Sequence, residues 1–438
     1  MSWGAGWGAS RCQRWPCLRR ACRRELLASV DAHLPISAEG RRRGAGFAGL
    51  ATASLLARAG HQVTVFEKFT EPQSVGAGIL VQPSGLAAMA VLGIADEVLA
   101  HGARVDHLFG VTPHQRPVVD VRYRAWREGA FGLGLHRGVL FDALWRLAQA
   151  SGVMVRTGHE VNELAEIEAA HDLVVVADGA RSSLRAQAGL AFRDRLYPWG
   201  AAWVVLDDPQ ATYGATLWQW YRSAGQMLGV MPTGQAPGRA TPVVSLFWSL
   251  HSDRFAAWQA AGLQAFKREV LALHPGSGAL LEQVHAMEQL TWARYHDVTM
   301  PAYHRGRCVV IGDAAHATSP QLGQGTNLAL LDAVVLADCL AGQGTVEEAL
   351  ARYTGIRRPH LHFYGQASRW LTPLFQSDLR TLPWLRDLLM RAACSLPVAG
   401  ALTRQTLVGM RAGWLPSSVL DLSRFTGGAA IHPDACRA

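Results

Sequence analysis

Residues 50–59 (LATASLLARA) are a run of good helix formers that Gly60 closes in a C′-like position. Residues 61–68 (HQVTVFEK) then read as a β-strand. Further strands are expected over 153–157, 172–177 and 307–311, the last two as near-continuous apolar runs of the kind buried on both faces of a sheet. Strands alternating with helices predict a parallel α/β sheet. The texture changes over 189–300, where Trp199, Trp203, Trp218, Trp220, Tyr221, Trp248 and Trp258 lie among short extended stretches and turns such as Pro232-Thr-Gly234 and Pro237-Gly238. This stretch predicts a mostly antiparallel second domain. Beyond residue 345 the pattern is helical, with Pro359, Pro373, Pro383 and Pro397 expected as breaks.

Composition supports a large core. A chain of 438 residues that is 49% hydrophobic and 17% charged suffices for roughly two or three domains and is neither disordered nor fibrous. The formal charge of +8 suggests a nucleic-acid partner until it is divided by position. Residues 1–43 hold nine Arg and three acids, a net of +6, which leaves 33 basic against 31 acidic side chains in the remainder. A nucleic-acid enzyme spreads its basic residues over the folded part, so no such partner is expected. The seven Cys (12, 17, 22, 308, 339, 394 and 436) are odd in number, and Cys12, Cys17 and Cys22 sit five apart, unlike zinc ligands. No metal site is expected, and the setting is read as reducing and cytoplasmic. The N-terminus lacks the apolar core of a secretory signal. Residues 73–95, though uncharged, are broken by Pro83 and by Gly76, Gly78, Gly85 and Gly93, so no membrane span is expected.

Three motifs carry chemistry. In the first, Gly44-Ala-Gly46-Phe-Ala-Gly49 opens the first helix and Glu67 ends the following strand. Glycines let a backbone turn approach a pyrophosphate, a helix N-terminus offers N–H donors and a positive dipole, and an acid at that distance binds a ribose hydroxyl. A tight strand-to-helix turn packed for its own sake would need the same glycines. The buried strand that should precede the motif is not evident in His33-Leu-Pro-Ile-Ser-Ala-Glu-Gly-Arg-Arg-Arg43, because three consecutive Arg cannot fill a central parallel strand. Residues 1–43, which show no sustained period, are therefore expected to be an anomalous basic segment outside the fold.

The second motif is Asp172-Leu-Val-Val-Val-Ala-Asp178-Gly179-Ala-Arg181-Ser182-Ser-Leu-Arg185, a carboxylate and a glycine at a buried strand's tip followed by cations. It suits dinucleotide phosphates or ribose, or equally a polar strand end that caps a helix. The third runs Arg307-Cys-Val-Val-Ile-Gly312-Asp313-Ala-Ala-His316-Ala-Thr-Ser-Pro320-Gln-Leu-Gly323-Gln-Gly325-Thr-Asn327 into Leu328-Ala-Leu-Leu-Asp332. Here a strand delivers Asp313, a glycine-containing loop follows, and a helix begins near Thr326. Asp313 can accept from a polyol hydroxyl, and amides at the helix start can stabilise negative charge on a bound ring.

Together these motifs resemble the FAD-dependent class A monooxygenases, the flavoprotein aromatic hydroxylases with the p-hydroxybenzoate hydroxylase fold. Gly76-Ala-Gly78-Ile79 with Gln82-Pro83, and Leu135-His136-Arg137, add to the likeness, which covers residues 44 to about 370. The resemblance implies that Gly44, Gly46 and Gly49 cradle the FAD pyrophosphate and that Glu67 holds the adenosine ribose. Asp178 and Gly179 would match the DG motif, and Arg137 an arginine close to FAD. Asp313 would meet the ribityl chain, and Pro320, Gly323, Gly325 and Asn327 would lie along the isoalloxazine. It further implies that NADH or NADPH reduces FAD, that reduced flavin and O2 form a C4a-hydroperoxide, and that one oxygen atom passes to an aromatic or other unsaturated small molecule.

The expected fold class is α/β. A Rossmann-like FAD-binding domain with a parallel sheet would comprise 44–72, 98–188 and 285–345. A mostly antiparallel β-sheet substrate domain would comprise 73–97 and 189–284, and 346–438 would be a C-terminal helical region. No catalytic base is singled out. His316 reads as a structural hydrogen-bonding residue or a proton relay, and Trp203, Trp218, Trp220 and Tyr221 as core or as an aromatic pocket wall. Related flavoprotein chemistry (epoxidation, dehydrogenation, halogenation) and a non-catalytic copy without its first strand are alternatives. Halogenation is disfavoured because Trp218-Gln-Trp220 continues into Tyr221-Arg222 rather than a WxWxIP motif. A homodimer is left open.

Overall fold

The computed structural model describes residues 31–36, 46–72, 77–379, 381–382, 385–387, 389–390 and 396–426. In chain order the strands and the longer helices are β1 Asp31–Ile36, α1 Phe47–Arg58, β2 Gln62–Glu67, β3 Gly78–Val81, α2 Pro83–Leu92, β4 Ala103–Val105, β5 His107–Val111, β6 Pro117–Arg122, β7 Gly132–His136, α3 Arg137–Ala150, β8 Met154–Thr157 and β9 Leu173–Val176. They continue with β10 Arg193–Asp207, β11 Thr216–Arg222, β12 Gln226–Gln235, β13 Pro242–His251, α4 Phe255–Leu273, β14 Thr291–Thr299, β15 His304–Arg305, β16 Cys308–Val310, α5 Gly325–Ala341, α6 Val346–Phe375 and α7 Pro397–Leu407.

A six-stranded sheet of order β15-β16-β9-β1-β2-β8 is parallel from β16 to β8. Its β9 and β16 residues are fully buried, as continuous apolar strands must be when both faces are covered. The first helix is closed as expected, with Gly60 at φ 98°. The segment 1–43 does not lie wholly outside the fold. Residues 31–36 pair in parallel with β2 along their whole length and with β9 through Ala32 and His33. The strand starts earlier than the stretch from His33 to Arg43 suggests. Pairing with β9 stops before Pro35, which has no N–H for a ladder, and Arg41, Arg42 and Arg43 lie beyond the strand, outside the described residues. A copy lacking its first strand is thus not what the chain forms.

The second sheet has order β14-β10-β13-β12-β11-β5-β6 and is antiparallel except at β11–β5. It draws β5 and β6 from 98–188 and β14 from 285–345, stretches expected in the FAD-binding domain. Conversely α2, expected with the substrate domain, buries Leu86, Met89 and Leu92 in the same core as α1 and α5. Sheet pairing and apolar faces, rather than chain continuity, set these memberships. The third sheet, β3-β7-β4, docks on the second so closely that a Cβ at Gly134 would lie 1.8 Å from the Pro232 carbonyl oxygen.

Alternation sorts the large sheet into two faces. Trp220, Leu228 and Trp248 are lateral neighbours on one, packed under Trp258, Phe266 and Val270 of α4. Trp203, Phe247 and Met231 lie on the other, toward Leu371 and Phe375 of α6. Pro359 and Pro373 do not break the C-terminal helix, since α6 continues through both. Both prolines face solvent, where water can satisfy the freed carbonyls, while Arg357, His360, Leu361 and Tyr364 anchor the opposite face. Pro397 opens α7, and Pro383 lies outside the described residues. Among the described residues no helix is long and apolar enough to cross a membrane.

The contact at Gly134 and the open space around Gly355 predict opposite effects. Gly134→Ala should lower stability by about 1–3 kcal/mol, because backbone must give way. Gly355→Ala, exposed inside α6 with nothing within 4 Å, should raise it by about 0.5–1 kcal/mol. Thermal melts of both variants decide; shifts of the same sign would contradict this packing.

Candidate functional site

A parallel sheet brings all its strand ends to one edge, and here the carboxyl ends of β2, β1, β9 and β16 lie side by side over roughly 14 Å. Glu67 ends β2 with no solvent exposure; its Oε1 accepts the Phe69 N–H at 2.9 Å and its Oε2 has no partner. Burial pushes this carboxyl up to about 7, against the smaller pull of the Phe69 amide and the Lys68 charge. Asp178, just beyond β9, repeats the pattern. Its Oδ2 accepts the Leu184 N–H at 3.3 Å, its Oδ1 is unpartnered, and burial again raises its pKa. Gly179 follows at φ 84°. Gly46 caps α1 with extended backbone and no side chain, Gly49 is buried in the first turn, and Gly44 lies outside the described residues. Arg137, in the first turn of α3, stands 5.1 Å over the Phe47 ring, which places it beside the start of α1.

Beyond β16 the chain turns at Gly312 with φ 60° and ψ −148°, backbone that glycine adopts without strain. A Cβ there would come within 2.8 Å of Ala48, so this turn touches the first turn of α1. Asp313 opens a one-turn helix, is exposed, and neighbours Gly325 at the start of α5. Arg185 ties the two acidic turns together, donating to the carbonyls of Ala180 at 3.1 Å and Ala314 at 2.8 Å and pairing with Asp194 at 2.5 Å.

Behind the turn lies Asp332, without exposure on α5. It accepts the Gly312 N–H at 2.8 Å, His316 Nε2–H at 2.6 Å and Arg357 Nε–H at 2.7 Å. Burial works to raise its pKa, but the charges of His316 and Arg357, with hydrogen bonds from His316 and the Gly312 amide, hold it well below the ordinary carboxylate range. His316 is thereby a buried hydrogen-bonding residue whose Nδ1 has no partner.

The loop 320–327 is held from several sides. Pro320 begins a single 3-10 turn, Gly323 follows at φ 59°, and Gly325 starts α5. Asn327, fully buried, accepts the Gln82 N–H at 2.8 Å and donates to the carbonyls of Gly323 at 2.9 Å and Leu80 at 3.3 Å. Tyr123 donates to Gln82 Oε1 at 2.6 Å. The segment from Gly78 to Pro83 is therefore the partner of this loop.

The aromatic candidates separate by face. Trp218 and Trp220 stack together at 5.8 Å, and Trp220 lies 3.9 Å from the His274 ring, within the core under α4. Tyr221 is buried against Phe375 and Arg386. Trp203 alone of the four combines the opposite face with partial exposure, 4.7 Å from the Phe247 ring, its Nε1–H donating to Tyr295 Oη at 3.2 Å. Tyr123, Gln324, Tyr295, Arg357 and His360 act through long-range contacts that local spacing does not reveal. One signal was present, since an acid inside Leu328-Ala-Leu-Leu-Asp332-Ala-Val-Val demands a buried partner. Among the described residues no cluster of His, Cys, Asp and Glu could hold a metal ion.

Residues 44–364 match the family model described as FAD binding domain. The chain is 28% identical over 388 residues to Aurachin C monooxygenase/isomerase of Stigmatella aurantiaca, covering 83% of this chain and 96% of that protein. It is 30% identical over 376 residues to 3-hydroxy-4-methyl-anthranilyl-[aryl-carrier protein] 5-monooxygenase of Streptosporangium sibiricum, covering 82% and 98%. The fold matches that of Klebsiella pneumoniae HpxO, solved as a variant complexed with FAD, at TM-score 0.70 and 19% identity over 87% of this chain and 99% of that one. It also matches 2-methyl-3-hydroxypyridine-5-carboxylic acid oxygenase at TM-score 0.68 and 21% identity, covering 80% and 94%. The orphaned carboxyl oxygens of Glu67 and Asp178, the uncapped start of α1 and the left-handed glycines of both acidic turns fit the cofactor these matches name, and the chain belongs to the FAD-dependent class A flavoprotein monooxygenases.

Proposed function

We propose that this monooxygenase uses NAD(P)H and O2 to hydroxylate an aromatic or other unsaturated small molecule. The reaction takes substrate, NAD(P)H, a proton and O2 to hydroxylated substrate, NAD(P)+ and water. FAD, when bound, supplies electron transfer from NAD(P)H and activation of O2. The observation that carries the reading is the pair of buried, unpartnered carboxyl oxygens, on Glu67 and Asp178, along one edge of the parallel sheet. Relatives named for 6-hydroxynicotinate and 3-amino-4-hydroxybenzoate monooxygenation support an aromatic substrate.

In this reading Glu67 Oε2 would accept from the adenosine ribose, and Gly44, Gly46 and Gly49 with the first-turn amides of α1 would hold the pyrophosphate. Asp178 and Gly179 would also lie near the cofactor, as would Arg137. Asp313, exposed beside Gly325, would accept from the ribityl hydroxyls. Pro320, Gly323, Gly325 and Asn327 lie along the ring, where the start of α5 favours negative charge. Trp203, partly exposed and packed on Phe247 and Met231, would supply an apolar wall that keeps water from the site.

The purified protein should retain or take up FAD, be reduced by NADH or NADPH without O2, and incorporate one atom of labelled O2 into a phenol, hydroxypyridine or quinolone probe. Absence of flavin binding, or NAD(P)H consumption that yields only H2O2 with every probe, would overturn the reading. Asp313→Ala should release FAD far more readily than His251→Ala, which lies at the end of β13; equal retention would remove Asp313 from the cofactor site.

Glu67 gives a pH test. Its free-enzyme pKa of about 7 means that it is largely protonated below neutrality, whereas the ribose contact favours the carboxylate. Binding therefore releases a proton at low pH, and FAD affinity should rise about tenfold per pH unit up to pH 7 and flatten above it. Glu67→Gln should bind more weakly at pH 8 and lose that slope, as read by titrating the FAD-free protein. An unchanged slope would assign the titration to another group.

A further inference from the structure

The family match ends at residue 364, yet the chain beyond it returns to the loop 320–327. We infer that Arg357 and His360 are positioning residues that lock residues 406–410 onto this loop, making that segment part of the cofactor site. The inference rests on reading loop 320–327 as the one that lies along the flavin.

Five successive carbonyls of the segment each accept a hydrogen bond. Thr406 accepts from Tyr364 Oη at 2.9 Å, Leu407 from Gln324 Nε2 at 2.6 Å and Val408 from the Ser84 N–H at 3.2 Å. Gly409 accepts from His360 Nε2 at 3.0 Å and Met410 from the Leu420 N–H at 2.8 Å. Gln324 sits between Gly323 and Gly325, so the Leu407 contact bears directly on the loop. Gly409 is wedged in, at φ 89°, where a Cβ would lie 2.0 Å from Ser84 Oγ and 3.1 Å from Gln324 Oε1.

The hydrogen-bond chemistry fixes the imidazole. A carbonyl only accepts, so His360 Nε2 carries the hydrogen, which leaves Nδ1 to accept from Arg357 Nη1 at 2.5 Å. Burial, and then the neighbouring Arg357 charge, keep the ring neutral, as both contacts require. Arg357 also donates to the Leu328 carbonyl at 3.0 Å and to Asp332, which holds the Gly312 turn. One chain of contacts thus runs from Gly409 through His360, Arg357 and Asp332 to the residue before Asp313.

The test compares His360→Leu, His360→Gln and Gly409→Ala, with Gly355→Ala as a control outside the site. FAD dissociation constants are measured on the FAD-free protein, with visible circular dichroism of the bound flavin and the melting temperature of the FAD-free form. His360→Leu leaves a guanidinium N–H and a carbonyl unpaired, and Gly409→Ala forces the wedge apart. Both should weaken FAD at least about tenfold and change the visible dichroism. His360→Gln, whose amide donates and accepts at nearly the same places, should stay within about threefold of wild type. Folded His360→Leu and Gly409→Ala with FAD binding and dichroism like wild type would overturn the inference, even with lower melting temperatures, because the residues would then only stabilise. If His360→Leu does not fold, Gly409→Ala decides by the same readouts. Failure of wild type to bind FAD would instead sink the proposed function and this inference with it.

Discussion

The turns at the carboxyl edge of the parallel sheet depend on one buried carboxylate. Asp332 has no solvent exposure on an otherwise apolar face of α5, where an isolated charge would cost several kcal/mol. It stays ionised because a backbone amide, an imidazole and a guanidinium all converge on it. Each donor comes from a different place: the exit of β16, the turn after Asp313 and the middle of α6. Satisfying the charge therefore fixes all three at once. Removing either charged partner would strand the other, typically at a cost of about 3–5 kcal/mol, so the arrangement is held by the penalty for breaking it more than by its net attraction.

In front of this satisfied centre the rule reverses. Glu67 and Asp178 are nearly as buried, yet each keeps one oxygen without a partner, and burial raises both pKa values. A fold stabilised at every position would pair these atoms or replace them. Two such violations on one sheet edge, with β1 between the strands that carry them, are what a polar ligand at that edge would relieve. The glycines beside them explain why the backbone can come close. Gly179 and Gly312 take positive φ just where the strands end, and Gly312 also permits contact between its turn and α1.

What the sequence makes legible follows from the range of each interaction. The turns at Gly179 and Gly312, the acids at strand ends and the buried strands within 172–177 and 307–311 are local patterns, and they lie where the spacing predicts. β1 was obscured because its six residues include Asp31, His33 and Pro35 and are followed by three Arg. Its identity comes from pairing in register with β2, from Asp31 opposite Gln62 to Ile36 opposite Glu67. The prolines of α6 look like helix breaks for a related reason. Pro359 faces water while Arg357 and His360 bind inward, so tertiary contacts on one face override a local helix-breaking preference on the other. The contacts of residues 406–410 could not be inferred from spacing at all, since Gln324 and Leu407 are joined only in the fold.

The aromatic residues show how finely period two divides structure from candidate chemistry. Trp203 and Ala202 are consecutive, yet Ala202 faces Trp248 under α4 and Trp203 faces Phe247 on the opposite side. A slip of one residue would exchange them. Trp218 and Trp220 fall on the α4 side and are packed there by stacking. Trp203 instead donates its Nε1–H to Tyr295, whose phenol is pushed up to about 12 by burial, against the opposing effects of that bond and of the Arg137 charge. Tyr295 thus stays neutral near pH 7, already accepts one hydrogen bond, and keeps its own hydroxyl proton to donate. The face that carries Trp203, Phe247 and Met231 is thus otherwise apolar but includes, in Tyr295, one phenol within range of the Arg137 charge.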